Sequence, residues 1–226
     1  MVLVLLLFNL YYVDQPYAII PNHGIFDMQL RFGPEGGILG SFSIGIWDRL
    51  SLGISYGASN LIGAGDPEFY EQPGVQIRIL AVQEEILTPT VILGFDNQGF
   101  GAFDQESRRY AIMSKGLYCQ TGKSFEFSGM KITPSLGINY ALEQEHRFDM
   151  FMGLEALFGS TTALLFEYSP NFGDPLDQNK GYMNCALRFI FYEQLFFEFA
   201  VRDLLDNSIY DQQLNRVIKL GYEQGF

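Results

Sequence analysis

Leu50 to Ala58 reads LSLGISYGA. Leu50, Leu52, Ile54, Tyr56 and Ala58 share one face of an extended chain, and Ser51, Gly53, Ser55 and Gly57 share the other. Successive side chains of a strand point to opposite faces, so this alternation predicts a strand with one apolar side. The same period runs outward in both directions. Upstream, IFDMQLRF (Ile25 to Phe32) sets Phe26, Met28, Leu30 and Phe32 against Asp27, Gln29 and Arg31. Ile38 to Trp47 repeats the pattern. Downstream it recurs in Val75 to Ala81, Thr90 to Asp96, Tyr110 to Cys119, Ile132 to Tyr140, Phe148 to Phe158, Thr162 to Tyr168, Met183 to Phe191, Phe197 to Arg202 and Ile218 to Tyr222. The chain therefore reads as all-β, with about twelve strands, most of them near the ~9 to 11 residues a tilted strand needs to cross a bilayer.

Period two alone does not say which face is inside. Composition does. Hydrophobic residues make up 48% of the 226 residues and charged ones only 18%, with 21 Phe, 13 Tyr and 24 Gly; a globular chain carries about 25% charged residues. The apolar face holds more Phe and Leu than a core of this size needs, and the opposite face is small and polar. A sheet in lipid must satisfy every backbone polar group, so it closes on itself with its apolar face outward. Aromatics near predicted strand ends (Tyr56, Tyr140, Phe158, Tyr168, Tyr182, Tyr192, Tyr222) fit an interfacial girdle. The connections support this. Those after the second, fourth, eighth and tenth strands are short or tight, and those after the third, fifth, ninth and eleventh are long, as expected for inner turns and outer loops. The first connection (Gly33 to Gly37) is shorter and the sixth (Gln120 to Met130) longer than that rule allows. The expectation is a closed antiparallel transmembrane β-barrel in a bacterial outer membrane, in contact with its lipid. The final amphipathic strand, ending at Phe226, is the expected signal to the barrel assembly machinery.

Residues 1–18 (MVLVLLLFNLYYVDQPYA) read as a signal peptide or its remnant, and residues 19–226 as the barrel. The leader departs from the pattern in two ways: no Lys or Arg precedes its apolar run, and Pro16 stands at the third position before a cut after Ala18. The run is too short for a transmembrane helix. The net charge of −12 excludes a nucleic-acid footprint. Cys119 and Cys185 either pair or, as the plainer reading, stand apart as small hydrophobes.

LGSFSIGIWDRLSLGISYGASNLIGAGDP, PGVQIRI, TPTVILGFDNQGFGAF and RRYAIMSKGLY, with the later KGYMNCALRFIF and FEFAVRDLLDN, resemble the YjbH-like outer-membrane barrels. The resemblance runs from about Gly37 to the C terminus. It implies a barrel in the outer membrane and, through larger relatives, a link to exopolysaccharide production; it implies no catalytic residue and no known ligand.

Chemistry is sparse. The two histidines, His23 and His146, fall outside the strands and beside no serine arranged for nucleophilic work, so no enzyme and no catalytic residue is expected. FDNQGFGAF (Phe95 to Phe103) lacks the Lys-Ser/Thr of a phosphate loop. Asp66, Glu68 and Glu71, and Asp174 and Asp177, have no metal-loop spacing and read as solvated acids; no metal or cofactor is expected. The lumen charges are the candidate site: Asp27, Arg31, Arg78, Lys131, Glu155, Glu167, Arg188, Glu198, Arg202, Lys219 and Glu223 should all point inward. One expectation is that they pair and plug a barrel of structural or envelope-assembly role. The alternative is a narrow channel or binding barrel for a small polar or saccharide solute.

Overall fold

The computed structural model describes residues 10–104, 108–143, 147–172, 174, 178–208 and 215–226. β1 (Ile25–Phe32) leads through a short 3-10 turn to β2 (Ile38–Ile46), then β3 (Leu50–Ser59). The two-residue β4 (Glu68–Phe69) lies on the edge of β3, before β5 (Gly74–Val82) and β6 (Thr90–Asp96). β7 (Phe100–Asp104) and β8 (Arg109–Ile112) form a separate hairpin. β9 (Gly116–Gly122), the short β10 (Phe125–Phe127), β11 (Met130–Ala141), β12 (Arg147–Phe158), β13 (Thr162–Ser169), β14 (Tyr182–Phe191), β15 (Leu195–Arg202) and β16 (Asn215–Gly225) complete the chain.

Setting β4 and β10 aside, twelve strands form a closed wall. First and last strands pair antiparallel over their lengths, from Ile25 beside Gly225 to Phe32 beside Ile218. The other closure, β9 against β11, is looser: Gly116 sits beside Tyr140, and the Lys123 amide donates to the Pro134 carbonyl at 3.2 Å. Pro134 has no amide hydrogen to give, so it removes one donor from this seam. One rim carries the C terminus (the near rim below); the other is the far rim.

Burial settles the direction of the faces. In β1, Met28 and Leu30 are 44% and 48% exposed, whereas Asp27 and Arg31 are 3% and 6%. The apolar face looks outward on every long strand, as the alternation predicted. Tyr182 departs from the expected girdle: it is buried at the far mouth. Cys119 and Cys185 are both free thiols.

Inward glycines do a specific job. Gly94, Gly137 and Gly221 stand directly opposite Tyr118, Phe151 and Phe196 on the next strand. A Cβ at any of them would come within 1.9–2.2 Å of that ring. The rings lie flat on the wall and leave the axis of the barrel free.

Two expectations change. Tyr110 to Cys119 is not one strand: it breaks at Met113–Lys115, where Gly116 takes a positive φ, into β8 and the wall strand β9. The overlong sixth connection also disappears, because β9 runs on to Gly122 and β10 pairs with β11, leaving a turn at Ser128 and Gly129.

Candidate functional site

Residues Leu10 to Ile20 lie inside the barrel. They enter from the near rim, where the Pro21 and Asn22 carbonyls pack against Gly45. They then rise to a tight turn and descend again. The turn is closed by the Tyr12 amide donating to the Gln15 carbonyl at 2.9 Å and the Tyr17 amide donating to the Leu10 carbonyl at 2.8 Å. Tyr12, Val13 and Tyr17 pack on inward small and aliphatic residues of the wall, including Ala163, Leu165, Ala200 and Val217. This apolar contact forms one of three buried clusters inside the described barrel, beside those around Ile92 and Phe151 and around Leu39 and Phe100.

The charged wall holds the polar parts of the same segment. Arg188, Glu198, Lys219 and Arg31 are successive cross-strand neighbours on β14, β15, β16 and β1. Glu198 joins Arg188 at 2.6 Å and Lys219 at 2.9 Å. That leaves the row with more cation than anion. The segment supplies the balance: its Asp14 carboxylate meets Arg31 at 2.5 Å and Arg202 at 2.7 Å. Arg31 and Lys219 each donate to the Val13 carbonyl at 2.8 Å, Arg78 to that of Leu10 at 2.6 Å, and Arg188 to that of Tyr11 at 3.1 Å. On the other side, the Glu167 carboxylate accepts the consecutive amides of Val13, Asp14 and Gln15, each at 2.9 Å. Charge-assisted bonds of this kind are the strong ones. The tip is thus recognised by its own charge and by its backbone.

The far mouth is covered by the β7–β8 hairpin. Phe100 lies 4.1 Å beneath the Arg31 guanidinium and edge-on to Tyr11. Glu143 anchors the hairpin by accepting the amides of Tyr110 and Ser114 at 3.1 and 2.6 Å. Burial pushes the Glu143 carboxyl above its ordinary range, partly offset by those bonds. Between hairpin and wall remains a vestibule of about 270 Å³, lined by Phe100, Phe103, Tyr110, Tyr182, Arg202 and Asn215 among others. Arg202 is 3% exposed, and among the described residues its Nη2 has no hydrogen-bond partner. Asp203, beside it, already accepts the amides of Asn207 and Ser208.

Of the predicted inward charges, Arg31, Arg78, Glu155, Glu167, Arg188, Glu198, Arg202 and Lys219 gather around the inserted segment; Tyr17 donates to Glu155 at 2.7 Å. Asp27 and Glu223 are buried neighbours nearer the C-terminal rim. Lys131 sits at that rim with Lys123 and Glu84, away from the cluster. Asp174 is not a solvated acid: buried, it takes both prongs of Arg109 at 2.7 and 2.9 Å. Asp66, Glu68 and Glu71 are exposed as expected. Asp177 and His146 lie outside the described residues, and so do residues 1–9 of the expected leader. Sequence reading missed Asp14, Asp96 and Lys115, all buried inside. The one available signal for Asp14 was the turn chemistry of Asp14-Gln15-Pro16 next to an apolar run.

No protein-family model matches the chain, and no curated protein matches it. Solved structures do. A KdgM porin superposes with a TM-score of 0.57 at 10% identity, over 89% of this chain and 99% of that one. A second structure, the KdgM porin in complex with disordered oligogalacturonate, gives 0.55 at 10% identity over the same shares. The fold is that of an outer-membrane porin. At this identity the porin likeness concerns the fold alone, and it lends no support to the exopolysaccharide link implied by the sequence resemblance.

Proposed function

We propose that this porin-fold barrel resides in a bacterial outer membrane and takes up a small polar saccharide at its far mouth, as a channel or binding barrel rather than an enzyme. The observation that carries the reading is the vestibule. Four aromatic side chains and a buried arginine with an open donor converge on a cavity of sugar size. Small-molecule sites combine an apolar, often aromatic lining with a few convergent polar groups that fix orientation. The structural neighbour bound to oligogalacturonate supports a saccharide as the solute class.

The test is calorimetric titration of the detergent-purified protein with trigalacturonate and with uncharged maltotriose, alongside swelling of liposomes that contain the barrel. Binding of at least one sugar is expected, weakened about tenfold by Tyr110→Ala, the loss of about 1.4 kcal/mol. If neither sugar binds and no vesicle swells, the reading is wrong.

A further inference from the structure

The segment that fills the lumen is built unlike a wall element. Among the described residues it pairs in register with no wall strand; wall side chains bond its backbone and Asp14, and its own tyrosines bond Asp96, Glu155 and the Thr133 carbonyl. A strand of the wall is held by a ladder of backbone bonds on each side. Most of the wall side chains that hold its tip are charged: Glu167 on its amides, and Arg31, Arg78, Arg188 and Lys219 on its carbonyls, with Gln120 on the Pro16 carbonyl. Arg31 and Arg202, with Asn184 at 3.3 Å, hold Asp14. The two arginines stand at the far ends of β1 and β15, on the side of the vestibule. Arg202 belongs to both places. Its Nε donates to Asp14 at 2.7 Å, and it also lines the vestibule with Nη2 unspent.

We propose that Leu10–Ile20 is a movable gate latched by Asp14 between Arg31 and Arg202, and that a solute in the vestibule weakens the latch by drawing hydrogen bonds from Arg202. This rests on the saccharide reading above. The physical basis is competition for one guanidinium. An acceptor on Nη2 pulls the planar group toward the vestibule and stretches the single bond from Nε to Asp14. The bond is strong because it is dry, and so it is sensitive to displacement. Once the tip is free, the segment is held by the apolar packing of Tyr12, Val13 and Tyr17 and by the bonds of Tyr11 to Asp96, of Tyr17 to Glu155, of Gln120 to the Pro16 carbonyl and of Arg78 to the Leu10 carbonyl.

The experiment uses the full chain in planar bilayers, with amide hydrogen exchange at Val13, Asp14 and Gln15 measured in parallel. Asp14→Asn is expected to raise exchange at those amides and open-channel probability by tenfold or more. Arg202→Gln should do the same from the wall side, so a folding defect in one variant leaves the other as a test. A cross-link between Tyr12→Cys and Gly153→Cys, in a Cys119→Ser, Cys185→Ser background, should abolish conductance until it is reduced. Conductance that survives the cross-link overturns the gate and leaves the channel reading standing. Faster exchange with no conductance in any variant also overturns the gate, and vestibule titration then decides separately whether a saccharide binds. A wild-type barrel that conducts as freely as Asp14→Asn overturns it too.

Discussion

At the scale of single residues, the inner face behaves as a network and not as a set of separate charges. Arg188 illustrates this. It bonds Glu198 through Nε and Nη2 at 2.8 and 2.6 Å, lies 3.8 Å from Glu155, and still reaches the Tyr11 carbonyl. Removing one partner of a buried pair leaves an uncompensated charge, which costs about 3–5 kcal/mol. Lys219 remains on Glu198 when Arg188 is lost, so Arg188→Ala should fall at the low end, about 3 kcal/mol. Thermal unfolding in detergent, followed by circular dichroism, should show a clearly lower midpoint; an unchanged midpoint would mean that the pair contributes nothing net. The alternation in the sequence assigned each of these side chains to the inner face. It could not say which would touch, because contact across strands depends on register, and register comes from the whole sheet.

At the scale of elements, the inward glycines and the inserted segment explain one another. Gly153 on β12 faces Tyr12 so closely that an added Cβ would sit 2.3 Å from its ring. Gly153→Ala must therefore push Tyr12 off the wall. Overpacking of this kind costs about 1–3 kcal/mol, and here the loss should concentrate in one element. Amide exchange at Val13 to Gln15 is expected to accelerate while that of β12 and β13 stays slow. A uniform rise across the wall strands would instead mean that the barrel itself had loosened. Residues 1–18 show where sequence reading reached its limit. An apolar run followed by Ala18 fits a leader, yet Leu10 to Ala18 is also the stretch that the wall charges grip. A cut after Ala18 would remove Asp14 and bare the cations that hold it. The β7–β8 hairpin was likewise read as loop and strand, because its packing partners, Arg31 and Glu143, lie far away in the chain.

At the scale of the molecule, the outward face is apolar and uncovered. Leu93, near the middle of β6 and 48% exposed, has no protein to cover it. Leu93→Arg should cost about 2–4 kcal/mol near the bilayer midplane, seen as a lower refolding yield into vesicles and an earlier urea midpoint; tolerance of the arginine would argue that this face does not meet lipid. The strand period, the outward apolar face and the closed antiparallel wall were legible in the chain, because each follows from local alternation and from the need to satisfy every backbone group in lipid. What occupies the lumen was not. A segment that is apolar and short of strand partners carries no local mark that it folds back inside. Its place there depends on Arg31, Arg202, Lys219 and Glu167, which come together with Asp14 only once the last strand has closed on the first.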